Sequence, residues 1–275
     1  MTRKSSEVAE EADPIWEAIR SEAQEDAQKE PMLASFLHAV ILNHSTLEDA
    51  LSFHLASKLD SSTLNATSLR DLIDEAFNDD PSIGEAIRKD ISAVCTRDPA
   101  CRGYSMILLH YKGYHALQSY RVAHYYWNND RQPLALYLQS RISEVFAVDI
   151  HPAARIGYEI LMDHATGIVI GETAVVEDQV SMLHAVTLGG TGKETGDRHP
   201  KIRRGVLISA GAKILGNVEV GEGAKVGSGA VVLEDVPPHT TVAGIPAVIV
   251  GRPVSDQPAL EMDHRLNTGS DEDPD

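Results

Sequence analysis

The chain is expected to fold as α+β, with an all-helical N-terminal domain followed by a parallel β-helix built from hexapeptide repeats. Three observations lead there. Up to about residue 148, apolar residues recur at helical spacing behind acid–proline pairs. From Ile150 onward, an aliphatic residue returns every six positions. With 43% hydrophobic and 24% charged residues in 275, the composition is that of a globular protein with enough chain to bury a core.

The first residues, 1–13, are polar and acidic, lack a signal-peptide core, and are expected to be disordered. Helices are expected over 14–148. Asp13-Pro14, Glu30-Pro31, Asp80-Pro81 and Asp98-Pro99 each read as a helix start, because an acid can accept from free backbone N–H groups and proline suits the first helical position. Thr46-Leu-Glu-Asp and Ser68-Leu-Arg-Asp resemble capping boxes. Leu47, Leu51, Leu55 and Leu59 form one apolar stripe, and Ile83, Ile87, Ile91 and Val94 another. An aromatic-rich stretch, Tyr104 to Trp127, and a segment from Pro133 to Val148 complete the helical region.

The second domain spans 149–251. Its repeat runs Ile150, Ile156, Met162, Ile168; slips by two; runs Ile170, Val176, Met182, Leu188; then resumes at Ile202, Ile208, Ile214, Val220, Val226 and Val232. A period of six fits neither a helix nor a simple alternating strand. It fits a solenoid in which each hexad is one short strand plus a corner, and each coil covers the apolar face of the next.

One loop, 189–201, interrupts the repeat: GGTGKETGDRHPK. From Gly189 to Arg204 there are five basic residues against two acidic ones, on a chain of net charge −17. A local cationic excess on a rigid scaffold reads as an anion site, for a carboxylate or phosphates. The overall negative charge argues against nucleic acid or an anionic membrane as partner. No apolar run is long enough to span a bilayer, so a cytoplasmic location is expected. Two cysteines, Cys95 and Cys101, supply neither a disulfide framework nor a zinc ligand set.

Two segments before the loop carry candidate chemistry: Asp149-Ile-His-Pro and Asp163-His-Ala-Thr-Gly. Histidine is suited to take a proton near neutral pH, and a carboxylate on its other nitrogen fixes its tautomer. Asp149 lies 15 residues before His164, a little less than one coil, so it is the expected orienting partner. Asp163 adjoins His164 in sequence, and neighbouring strand residues point to opposite faces, which leaves Asp163 for a substrate. Asp98, just before Pro99, reads from sequence as a helix cap.

Taken together, Asp149-Ile-His-Pro-Ala-Ala, Asp163-His-Ala-Thr-Gly, Gly171-Glu-Thr-Ala-Val, Val186-Thr-Leu-Gly-Gly-Thr-Gly-Lys, Gly196-Asp-Arg-His-Pro-Lys-Ile and Ala243-Gly-Ile-Pro-Ala resemble the serine O-acetyltransferases. Glu30-Pro-Met-Leu-Ala-Ser-Phe, Thr96-Arg-Asp-Pro-Ala and Lys112-Gly-Tyr-His-Ala-Leu-Gln extend the resemblance into the helical half. It covers about residue 14 to residue 251. It implies a left-handed β-helix that acetylates the hydroxyl of L-serine with acetyl-CoA, opening cysteine biosynthesis by direct transfer. His164 is then the general base and Asp149 its orienting carboxylate. Asp98, Asp163, Arg198 and His199 hold serine, or cysteine as inhibitor. Gly190, Thr191, Ala210 and Lys225 are placed at acetyl-CoA, which is a co-substrate with no resident cofactor or metal. The resemblance further implies a homotrimer, or a hexamer made of two trimers.

Two alternatives remain at this level: another hydroxyl acceptor, or a β-helix zinc carbonic anhydrase using His151, His164 and His184. The tail, 252–275, carries two basic and seven acidic residues and is expected to be disordered. Its segment around Met262 resembles a region linked to cysteine control. The chain ends in Asp275 where family members that dock into cysteine synthase end in isoleucine, so that partnership is not expected.

Overall fold

A computed structural model describes residues 13–192 and 195–266. The expectation for residues 1–12 and for 267–275, including the chain's last residue, lies outside the described residues, as do Lys193 and Glu194.

Helices fill the first half. α1 (Pro14–Lys29) starts where Asp13 accepts from the N–H groups of Ile15 and Trp16. A 3₁₀ turn from Pro31 leads into α2 (Ala34–Leu37) and a π-helical turn. α3 (Leu47–Leu59) is capped by Thr46, whose hydroxyl accepts from the N–H of Asp49. α4 (Ala66–Asp79) is capped three residues before the expected position: the Asn65 side chain accepts from the N–H of Ser68, so Ser68 lies inside the helix. α5 (Pro81–Arg97) starts at Asp80 as expected. Both apolar stripes are buried.

One expectation fails here. Asp98-Pro99 starts no helix: Asp98 ends α5, and the chain turns until α6 (Tyr104–His110). The aromatic stretch is helical as expected, as α6 and then α7 (Lys112–Asn128), with a break at Tyr111. α8 (Gln132–Phe146) closes the helical region, with Ala147 left-handed at φ 56°.

The second half is a parallel β-helix with three faces, A, B and C. Face A stacks β1 (Val148–Ile150), β4 (Ile168–Ile170), β7 (Thr187–Gly189), β10 (Lys213–Leu215) and β13 (Val231–Val232). Face B stacks β2 (Arg155–Ile156), β5 (Val175–Val176), β8 (Lys201–Ile202) and β11 (Glu219–Val220). Face C stacks β3 (Leu161–Met162), β6 (Ser181–Met182), β9 (Leu207–Ile208), β12 (Lys225–Val226), β14 (Thr241–Ala243) and the antiparallel β15 (Val248–Gly251).

The hexad residues are the ladders inside this prism. Ile150, Ile170, Leu188, Ile214 and Val232 stand in register on one face. Ile156, Val176, Ile202 and Val220 do so on the second. Met162, Met182, Ile208, Val226 and Val242 do so on the third. The two-residue slip now has a location: Met162 and Ile170 are eight apart, and the lengthened corner between them holds Asp163 to Gly167.

Buried polar contacts fix the helices to the first coils. Asp90 is fully buried. It accepts from Arg121 at 2.7 Å, from Gln118 at 2.9 Å and from the N–H of Ile160 at 3.0 Å. Removing either partner of such a buried pair typically costs about 3–5 kcal/mol. Arg97 donates to the carbonyl of Glu159 and to the Ser181 hydroxyl. The end of α5, and with it Asp98, is thereby held over the first two coils.

The tail expectation needs correction for its described part. α9 (Pro258–Glu261) lies on the prism: Ala259 is fully buried and its carbonyl accepts from Ser181 at 2.7 Å. His264 meets the Ser209 hydroxyl at 2.9 Å. The acidic count that suggested disorder comes largely from 271–275, while Pro258 and Ala259 supply apolar surface next to the C face.

Candidate active site

The corner after β3 carries Asp163 and His164. His164 and Ala165 are both left-handed, at φ 55° and 56°. Non-glycine residues there cost of order 1 kcal/mol or more each, and such strain clusters at functional sites. The lengthened corner projects the His164 ring outward; its side chain is 75% exposed. The His184 ring lies edge-on at 6.0 Å, from the equivalent corner one coil later.

Helix α7 begins beside this corner. A Cβ at Gly113 would stand 2.1 Å from the carbonyl oxygen of Met162, so only glycine lets the helix approach this closely. Lys112 donates to the Thr166 hydroxyl. The result is a cleft of about 390 Å³ whose lining includes Asp98, Tyr111, Met162, Asp163 and His164.

Asp98 uses its two oxygens separately. Oδ1 accepts from the N–H of Ala100 at 2.8 Å, forming a turn where a helix cap was one reading. Oδ2 accepts from the Tyr111 hydroxyl at 2.7 Å, at the cleft wall. Burial and this bond raise the Tyr111 pKa, so the phenol stays protonated. Tyr111 is a cleft residue that the sequence reading missed, since it reads there as one more core aromatic.

The expected pair of Asp149 and His164 is not formed. Asp149 sits on face A and accepts from Gln139 of α8 at 2.7 Å. The carboxylate nearest the His164 ring is Asp163, 3.7 Å from Nε2, beyond a hydrogen bond. The reason is the corner geometry: left-handed backbone at His164 breaks the strand alternation that was to turn Asp163 away.

Arg198 and His199 lie at a different corner, between faces A and B. His199 is 7% exposed. Its Nδ1 accepts from the N–H of Thr173 at 3.2 Å and contacts the Thr173 hydroxyl at 2.9 Å. That hydroxyl also accepts from the N–H groups of Arg198 and His199. Burial, then the Arg198 charge, lowers the His199 pKa, so the ring is neutral with its proton on Nε2. Arg198 donates to Glu172 at 2.6 Å, which holds the Glu172 carboxyl below its ordinary range. Glu172 and Thr173 are therefore the side chains that seat this pair. Their signal was the Gly171-Glu-Thr motif, whose role spacing alone does not reveal.

The cationic excess of the loop is largely spent on the scaffold. Lys201 pairs with Asp197 at 2.6 Å, and Arg203 bridges Glu177 and Glu219. Among the described residues of the loop, Arg198, paired with Glu172, and His199 stand side by side. Gly190 lies beside them, Thr191 is exposed on the same loop, and Ala210 sits at the corner between faces C and A. Lys225, expected at acetyl-CoA, is 4% exposed and donates to the Arg265 carbonyl at 2.6 Å, so the C-terminal segment covers it.

The zinc set does not converge. His151 lies at the corner between faces A and B with its ring 5.0 Å from Trp127, while His164 and His184 share the other corner. Among the described residues no group of three metal-ligating side chains comes together. Among the same residues, no helix is long and apolar enough to cross a membrane.

Residues 15–119 match the family model described as serine acetyltransferase, N-terminal, and residues 199–234 match that of the bacterial transferase hexapeptide, six repeats. The serine acetyltransferase of Salmonella typhimurium is 58% identical over 258 residues, 94% of each chain.

The chain belongs to the serine acetyltransferase family.

Solved serine acetyltransferases superimpose on it closely. The Brucella abortus enzyme, in complex with coenzyme A, gives a TM-score of 0.86 at 52% identity, covering 88% of this chain and 96% of that one. The soybean serine acetyltransferase, complexed with serine, gives 0.85 at 62% identity, covering 86% and 97%. Within this acyltransferase family, the single chain holds its candidate residues in two groups on separate corners: Asp98, Asp163 and His164 on one, Arg198 and His199 on the other.

Proposed function

We propose that this chain transfers the acetyl group of acetyl-CoA to the hydroxyl of L-serine, giving O-acetyl-L-serine and CoA. The observation that carries this reading is one cleft lined by two carboxylates and an exposed, strained histidine. Asp98 and Asp163 suit the substrate ammonium, and His164 stands beside them as a base. The soybean and Brucella relatives, with serine and coenzyme A, support both substrates.

His164 removes the hydroxyl proton as the serine oxygen attacks the thioester carbonyl. The tetrahedral adduct then collapses, the carbon–sulfur bond breaks, and the proton passes to the CoA sulfur. No acyl-enzyme is needed. For Asp149, whose Oδ1 accepts from Gln139, the orienting role requires a carboxylate oxygen to come within reach of the His164 ring. Acetyl-CoA reaches Lys225 only when residues 263–266 withdraw from it.

Serine also carries a carboxylate; the cleft with His164 holds Lys112, which is engaged by Thr166, and among the described residues no cation of the loop lines it. Arg198 and the Nε2–H of His199 supply that chemistry at the other corner. A neighbouring copy that sets its loop against this cleft completes the site, as in a ring of three chains, or two such rings as a hexamer. Cysteine, which shares the ammonium and carboxylate of serine, fits the same groups as an inhibitor.

The test is thiol release from acetyl-CoA with a panel of hydroxyl acceptors. Serine is expected to be the preferred acceptor; preference for a sugar or for homoserine overturns the assignment.

A further inference from the structure

Cys95 and Cys101 lie on either side of Asp98, and their sulfurs meet at 3.3 Å. Cys95 is in the last turn of α5 and Cys101 in the turn that follows. Both are half-buried and unbonded. The turn between them is short and held at both ends. Asp98 closes the helix through its N–H to the Val94 carbonyl, and Cys101 donates its N–H to the Asp98 carbonyl at 3.0 Å. On the far side, Glu22 accepts from the N–H groups of Tyr104 and Ser105 and pins the start of α6.

We infer that Cys95 and Cys101 form a reversible modification site that takes up a low-molecular-weight disulfide and closes into a bond across Asp98. The link to activity rests on the assignment of Asp98 to the serine cleft; the chemistry of the pair does not. The thiolate of Cys101 attacks one sulfur of the small disulfide, whose S–S bond breaks and releases one thiolate. Cys95 then gives up its proton and attacks the Cys101 sulfur, releasing the second thiolate. The protein pair loses two electrons and two protons, and the small disulfide gains them as two thiols. Burial, with the neighbouring sulfur, pushes the Cys95 thiol up, and Cys101 stands in the turn outside the helix, so Cys101 is assigned the first attack. Cytosolic disulfides are commonly transient and redox-sensing, which suits such a pair.

The consequence reaches the cleft. A disulfide draws the sulfurs from 3.3 Å to ~2.05 Å. With α5 anchored by Arg97 and Asp90, the turn 98–101 must give. Its carboxylate holds Tyr111 at 2.7 Å on the cleft wall, so Asp98 moves relative to Asp163.

The experiment exposes the full-length protein to oxidised glutathione, then alkylates and weighs it. Both thiols are expected to disappear together with loss of two hydrogens, and dithiothreitol to restore both. In Cys95→Ser, a glutathione adduct should persist on Cys101, while Cys101→Ser should react slowest. Two alkylatable thiols after prolonged exposure, or adducts retained on both cysteines of the unmodified sequence, overturn the site. Coupling is read in two ways. Oxidation should slow amide exchange across 98–102, and it should raise the serine KM by about ten- to a hundredfold, the usual cost of displacing a positioning group by an ångström or so. The acetyl-CoA KM should hold, and the Cys95→Ser, Cys101→Ser double variant should be insensitive. Unchanged exchange with unchanged KM overturns the coupling. A reduced protein that fails to acetylate serine yet closes the disulfide overturns the proposed function and leaves the modification site standing.

Discussion

Gly171 lies directly under the His199 ring: a Cβ at this glycine would stand 2.0 Å from the ring's Cδ2. The imidazole occupies the space a side chain would need. Its Nδ1 is held by Thr173, two residues beyond Gly171 at the same corner. Gly171→Ala is therefore expected to displace His199 without unfolding the prism. The serine kcat/KM should fall by about ten- to a hundredfold while the melting temperature shifts by a few degrees only. Normal kinetics in this variant would remove His199 from the substrate site.

His164→Ala should lower kcat by about 10²–10⁴-fold, the usual contribution of a positioned base. Acetyl-CoA binding, measured by calorimetry, should be retained. Turnover near that of the parent would exclude His164 as the base.

Arg198→Ala should raise the serine KM far more than the acetyl-CoA KM. The Arg198 guanidinium already shares Glu172, so a substrate carboxylate adds to a seated cation. Equal rises for both substrates would contradict a carboxylate-binding role.

Mixing the two inactive variants distinguishes a shared site from one confined to a single chain. If the loop of one copy completes the His164 cleft of the next, co-assembled His164→Ala and Arg198→Ala chains regain roughly a quarter of the parental sites by random assembly into a heterologous ring. Sites built within one chain regain none.

Stability should fall as the pH drops below about 6.5. His54 and His115 are buried in the helical core with rings 5.0 Å apart, and burial lowers their pKa values to about 4 and about 3. The folded chain keeps both neutral, whereas the unfolded chain protonates them near 6.5. The unfolded state thus binds more protons below that pH, so acid favours unfolding. Between pH 6.5 and 5 the loss is about 2 kcal/mol for each ring. Urea midpoints at pH 7 and pH 5 measure it. A His54→Gln, His115→Gln variant should lose much less, and an equal loss would sink the explanation.

Much of this architecture is legible in the sequence because its determinants are local. The hexad aliphatics read directly as ladders, since each lies under its counterpart one coil away. Asp13, Thr46 and Asp80 cap helices as their neighbours suggest. Asn65 shows the limit: its cap and that suggested by Ser68 differ by one turn, and only packing chooses. The site was less legible. Residue types located His164 and Asp163, the family resemblance added Asp98, and the structure brings the three into one cleft. The pairing of His164 with Asp149 depended on strand alternation, which the left-handed corner suspends. The cover over Lys225 was not legible, because a distant segment folding back leaves no trace in spacing. Tyr111 and Thr173 act through single hydrogen bonds that no periodicity announces.

The ladder inside the prism constrains every sixth residue but leaves the edges of the solenoid almost free. One edge absorbs two extra residues at 163–167, and another absorbs the whole excursion at 190–200, yet the aliphatic stack continues past both without a break. Edge length and core register are thus separable variables. New chemistry can be written at any vertex of such a solenoid by insertion alone, with no renegotiation of the packing that keeps it folded.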